Sequence, residues 1–137
     1  MTIGLYEDNR GLWRNVFADH YPVAAAQDGD GRRWTVLIIA PGTTPRRVSA
    51  DTLIAPGNEN KKIAATQRIT YGLSAKDTVT VSSIGDGCLI ISLRRALLDI
   101  NGNEIEPREW RAVKHPNWSI EQTMAFETLK TLLNNTI

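Results

Sequence analysis

Two histidines, His20 and His115, and a single cysteine, Cys88, are all the chain offers for metal binding or thiol chemistry. A structural zinc site needs four clustered nitrogen or sulfur ligands. These three residues lie far apart in sequence, so the chain supplies no such site. Cys88 opens the run Cys88-Leu89-Ile90-Ile91, which reads as a buried strand. A thiol there behaves as a small core hydrophobe, and nothing adjacent in sequence would activate it. With one cysteine, no intramolecular disulfide can form.

The acidic loops carry no metal signature either. Counted from Asp99, the sixth residue is Glu104 and the twelfth is Trp110, where a calcium loop needs Gly and a bidentate carboxylate. Asp28-Gly29-Asp30-Gly31 reads as a turn. No glycine-rich phosphate loop and no Gly-x-Ser-x-Gly elbow occurs. A spatially assembled triad leaves no local trace, but its base would have to be His20 or His115, and both sit beside Tyr-Pro or Pro in loop-like sequence. No cofactor and no metal is expected; whether the chain is an enzyme stays open, with a non-catalytic role favoured and a small enzyme of unknown class kept as the last alternative.

Two groups of residues point instead to contact with another macromolecule. Basic residues come in doublets: Arg32-Arg33, Arg46-Arg47, Lys61-Lys62 and Arg94-Arg95. The chain carries 16 Lys+Arg against 15 Asp+Glu, for a net charge of +1, which excludes a uniformly basic protein. The balance is uneven: −3 over residues 1–31, +6 over 32–76 and −2 over 77–137. Arg46, Arg47, Lys61 and Lys62 are therefore candidate contacts for a polyanion or an acidic partner. The second group comes from the four tryptophans. Trp110 and Trp118 flank Arg111-Ala-Val-Lys114-His115-Pro116, and exposed Trp and Arg are the residue types that dominate protein–protein contacts. Trp110, Arg111 and Trp118 complete the candidate set.

These residues must be positioned by strands. Pro22–Gln27, the Asp28–Gly31 turn and Arg33–Ala40 predict a β-hairpin, with the continuous Val36-Leu37-Ile38-Ile39 run buried on both faces of a central strand. Lys76–Ile84 and Cys88–Arg95 predict a second hairpin across Gly85-Asp86-Gly87. Leu97–Ile100 and Asn103–Glu106 predict a third across Asn101-Gly102, the strongest short hairpin signal. Gln67–Tyr71 is a further candidate strand. The spacing of Leu12, Trp13, Val16 and Phe17 predicts a short helix over about 10–18, capped by Asp8 or Asn9. Residues 107–118 resist assignment. Ser119…Gln122 forms a capping box for a helix to about Leu133, with Ala125, Phe126, Leu129, Leu132 and Leu133 on its apolar stripe and Thr123, Glu127, Lys130 and Thr131 opposite.

The segment Gly72-Leu73…Lys76-Asp77…Val79…Val81, followed by Gly85-Asp86-Gly87…Leu93, resembles the DNA-binding swapped-hairpin family of AbrB/MazE type. The family's preceding short helix and its proline are missing, so no family residue is carried across.

At 42% hydrophobic and 23% charged residues, the chain is expected to fold as one domain, residues 1–137. The expected class is α+β: an antiparallel sheet or small barrel of consecutive hairpins with a C-terminal amphipathic helix packed on it. Parallel βαβ architecture is disfavoured, because tight turns rather than helices join the strands. Residues 1–8 lack a basic and an apolar region of a signal peptide, and the longest apolar run, Val36–Ala40, falls far short of the ~20 residues of a membrane span. The expectation is a cytoplasmic or phage-particle location and no membrane partner. The expected function is non-catalytic binding or assembly through a protein partner or self-association, as in a phage-type accessory or structural protein or an immunity or inhibitor protein. The alternative is a DNA- or RNA-binding regulator using the basic 32–76 segment.

Overall fold

A computed structural model describes residues 1–8, 11–57 and 63–134. The chain divides into two compact units, Met1–Ile69 and Thr70–Ile137. The first unit holds strands β1 (Ile3–Tyr6), β2 (Val23–Ala25), β3 (Arg33–Ile39) and β4 (Ser49–Pro56), most of β5 (Ala64–Tyr71), and the one-turn helix α1 (Arg14–Phe17). The second holds β6 (Val79–Gly85), β7 (Cys88–Leu93), β8 (Leu97–Leu98), β9 (Glu104–Ile105), β10 (Arg108–Val113) and helix α2 (Ile120–Asn134).

The antiparallel hairpin sheet or barrel expected for the whole chain is not what forms. The sheet is mixed, and parallel pairing rules the first unit, where β1, β3 and β4 stack as parallel neighbours in the manner of a β-solenoid. The expected hairpin over 22–40 is absent. β2 and β3 do not pair with each other; each pairs in parallel with β1, which lies between them, Ile3 facing Val23 on one side and Val36 on the other. The turn residues behave as expected, Gly29 and Gly31 adopting positive φ of 69° and 74°. They serve a crossover that restores the strand direction instead of reversing it.

Physical cause lies in β1 and β3. Val36, Leu37, Ile38 and Ile39 are all fully buried. Such a run lacks the alternation of a one-sided antiparallel strand and suits a strand covered on both faces with a neighbour along each edge. β1 fits beside it because residue 4 is glycine. A Cβ on Gly4 would lie 2.5 Å from Cδ2 of Trp34, so the indole of Trp34 occupies the space above that backbone. Trp34, Leu37, Ile39, Val48, Ala50, Leu53, Ala55, Ala26 and Ile63 then form one core cluster. Burying a side chain of the Leu or Ile class is worth about 1.5–3 kcal/mol. Where Thr2 and Thr35 meet, each hydroxyl accepts the other's backbone N–H at 3.1 Å.

In the second unit Tyr71 pairs in parallel with Val79, and the remaining strand pairs are antiparallel. β6 and β7 form the predicted hairpin across Asp86-Gly87, with a register shift between Val81 and Ser83. β8 and β9 form the third. Its loop is not the two-residue turn expected from Asn101-Gly102. The buried Asp99 carboxylate accepts the N–H of Asn101 at 2.8 Å and of Asn103 at 2.9 Å, so the loop closes around Asp99. The unassigned stretch contains β10, antiparallel to β7.

The capping box forms as expected: Gln122 N–H donates to Ser119 Oγ at 3.0 Å and Ser119 N–H donates to Gln122 Oε1 at 2.8 Å. α2 is buried further round than its stripe implied, since Thr123 and Glu127, expected on the solvent face, are buried. Hydroxyls there cost little because Thr123, Thr128 and Thr131 each donate to the carbonyl four residues back, at 3.0, 2.7 and 2.8 Å. α1 is shorter than expected, and its first-turn partner is Glu7, whose Oε2 accepts Arg14 N–H at 2.7 Å. Asn9 lies outside the described residues.

No helix among the described residues is long and apolar enough to cross a membrane.

Candidate interaction surface

β10 ends the strand order β6-β7-β10. Its register to β7 runs unbroken from Arg108↔Leu93 to Val113↔Cys88, so its side chains alternate strictly between two faces. Trp110 and Ala112 share a face with Leu89 and Ile91, which are fully buried. Glu109, Arg111 and Val113 share the other face, and all three are exposed, Val113 to 66%.

The two tryptophans nominated from sequence are anchored on α2. Trp110 is partly buried, and its Nε1–H donates to Glu127 Oε1 at 2.8 Å. That bond gives the buried Glu127 a partner and fixes the β10 backbone against the helix; leaving such a buried group unpaired costs about 1–3 kcal/mol. Trp118 packs on Phe126, with ring centroids 5.0 Å apart, and on His115 at 4.1 Å. Lys114 Nζ donates to the Trp118 carbonyl at 3.1 Å, closing the turn between β10 and α2. Trp110 therefore ties the strand to α2 and Trp118 packs against α2 beyond the strand, while Arg111, between them, is exposed. Glu109, exposed on the same face as Arg111, was not among the residues nominated from sequence. Its signal was present in the alternation of Arg108–Val113, hidden by Pro107 and Pro116 on either side.

The basic candidates fare differently. Arg46 and Arg47 are exposed in the loop before β4, and Lys61 and Lys62 lie outside the described residues. Arg46 N–H donates to Asp28 Oδ1, and Tyr6 OH donates to Asp28 Oδ2 at 2.9 Å. Arg47 adopts φ 52°, a left-handed conformation uncommon for a side chain of this size, and its carbonyl accepts Gly29 N–H at 3.3 Å. Arg33 pairs with Asp51 at 2.7 Å and donates to Thr66 at 2.9 Å, and Arg32 lies 5.1 Å from the centre of the Trp34 ring. Asp30 accepts Arg32 N–H at 2.9 Å, so among the described residues Asp28, Asp30 and Asp51 are interleaved with the arginines and the local charge is mixed.

A hydroxyl and a carboxyl group of the first unit are perturbed. Burial, then the Asp28 hydrogen bond, pushes the Tyr6 hydroxyl above its ordinary value. Burial raises Glu7, against the opposing pull of the Arg14 N–H. Among the described residues, no group of three His, Cys, Asp or Glu is placed to hold a metal ion.

No family model matches the chain, including the swapped-hairpin family its 72–93 segment resembles, and no curated protein or solved structure matches it either.

Proposed function

We infer that the chain is a non-catalytic binding or assembly protein acting through protein–protein contacts, of the kind a phage-type accessory or an immunity or inhibitor protein makes. One observation carries this reading. β10 is a terminal strand whose outer face is exposed and whose inner face is locked to α2 by Trp110. A strand held rigid on one side and open on the other is pre-organised to add a further strand, and rigidity lowers the ordering entropy of binding. The nucleic-acid reading has less behind it, because Asp28, Asp30 and Asp51 sit among the arginines that would carry it.

The test is affinity capture of the tagged full chain from its native host, followed by native mass spectrometry. A stoichiometric species heavier than the single chain is expected, and it should be lost in Arg111→Pro, which removes a backbone N–H from β10. A chain recovered only as a monomer with no stoichiometric partner refutes the reading.

A further inference from the structure

We propose that the partner at β10 is a second copy of this chain, paired antiparallel about Trp110 so that Glu109 of each copy faces Arg111 of the other. This rests on the binding reading above and makes it specific.

The argument is one of register. When two identical strands pair antiparallel around a two-fold axis, directly opposed residues must present their backbone groups in the same sense. Their residue numbers must then sum to an even value, so the axis passes through a residue and not between two. Few registers remain for Arg108–Val113. About Glu109, the two Glu109 carboxylates face each other. About Arg111, the two guanidinium groups do. About Arg108, two more arginines meet. About Ala112, Arg111 faces Val113 and Glu109 runs past the end of the strand; about Val113, the two Val113 side chains meet and both charged residues run past the end. About Trp110, Glu109 faces Arg111 twice, once on each side of the axis.

Opposite charges directly across an antiparallel pair stabilise it and like charges destabilise it, with Cβ atoms about 4.5–5.5 Å apart. The strand's own charge pattern therefore penalises the registers centred on Glu109 and Arg111, and the Trp110 register pairs both opposite charges while keeping most of the strand in the pairing. Both charged side chains point to the exposed face, so nothing in their own chain has to move for them to meet. The pairing also carries Val113, exposed to 66%, toward the partner strand's start, and continues the order β6-β7-β10 of one copy into β10-β7-β6 of the next. Isologous two-fold contacts of this kind close on themselves and do not propagate into fibres.

The experiment uses the purified full chain. Sedimentation equilibrium should read a monomer–dimer equilibrium. Glu109→Arg and Arg111→Glu should each weaken it by about tenfold or more, since each turns both attractive pairs repulsive. The double variant E109R/R111E should restore it. Because charge swaps on a strand can disturb folding, a second measurement avoids them: in a Cys88→Ser background, with diamide added as the two-electron oxidant, Glu109→Cys mixed with Arg111→Cys should give a disulfide-linked mixed dimer, while Glu109→Cys alone should not cross-link. A chain that is monomeric at every concentration overturns the proposal. So does an oligomer indifferent to the single swaps, one that the double swap fails to rescue, or Glu109→Cys cross-linking to itself as fast as to Arg111→Cys. A purified monomer that still captures a stoichiometric partner from its host overturns the pairing and leaves the binding reading intact.

Discussion

Gly4→Ala adds one methyl group where the first unit has least room for it. The new Cβ would stand 2.5 Å from Cδ2 and 2.8 Å from Cε2 and Cε3 of Trp34. Carbon atoms settle at about 3.5–4.0 Å, so the ring and the strand must separate by roughly 1 Å. Trp34 is 1% exposed and sits among Leu37, Ile39, Leu53 and Ala55, so it has no open side to retreat into. Overpacking of this kind costs about 1–3 kcal/mol. Replacing a strand glycine by alanine returns roughly 0.5–1 kcal/mol through lower chain entropy. The clash wins, and the net destabilisation is about 1–2 kcal/mol, or a fall in Tm of roughly 4–8 °C for a chain of this size.

Thermal unfolding followed by circular dichroism measures that fall, and near-ultraviolet spectra report displacement of the indole. A double-mutant cycle isolates the cause. In a Trp34→Ala background the ring is gone, and Gly4→Ala should become neutral or stabilising by the entropic term alone. Gly4→Ala as stable as the parent chain would refute the packing argument. An equal cost with and without Trp34 would show that the backbone, not the ring, requires glycine.

Two further outcomes follow from local geometry. Ser119→Ala removes the acceptor of Gln122 N–H and should lower stability by about 1 kcal/mol, read as a shift in urea midpoint at unchanged slope; Gln122→Ala should add less than its own single effect once Ser119 is gone, because the two bonds form one motif. Glu7 is held above its ordinary value of 4.5 by burial. A raised folded-state value means the folded chain holds this proton more tightly than the unfolded chain. The contribution is full below the unfolded value and lost as pH rises through the folded one. Relative to Glu7→Gln, the parent should therefore lose stability on going from acid toward neutral pH. Melts from pH 3 to 7 that show no such divergence would remove Glu7 as a titrating group of the fold.

What could be read from sequence depended on how far apart the interacting residues lie. The capping box is decided within three residues, and Ser119 and Gln122 name each other. The β6–β7 hairpin is decided by Asp86-Gly87 and by apolar positions either side. Burial of Val36–Ile39 on both faces was legible from composition alone, yet its consequence, a parallel neighbour on each side, was set aside for want of crossover helices. The loop over 40–48 carries the chain from β3 to its parallel neighbour β4 without a helix. β1 was invisible for the opposite reason: four residues with no turn signal become a strand only because Trp34 and the edges of β2 and β3 need them. At the surface, Trp110, Arg111 and Trp118 were nominated by residue type; Trp110 is hydrogen-bonded to Glu127 and Trp118 packs on Phe126, and Arg111 is exposed. Glu109, which no residue-type rule favours, stands beside Arg111 on the open face.

That pairing bears on why β10 carries charges at all. Charged residues on a terminal strand commonly keep other strands away. A strand built only to repel does so in every register, which a run of one sign achieves. β10 instead alternates sign on a single face, Glu109 negative and Arg111 positive, two residues apart. Such a pattern repels an identical strand centred on residue 109 or 111 and attracts one centred on 110. It disfavours the registers slipped by one residue to either side while leaving the Trp110-centred two-fold arrangement favoured.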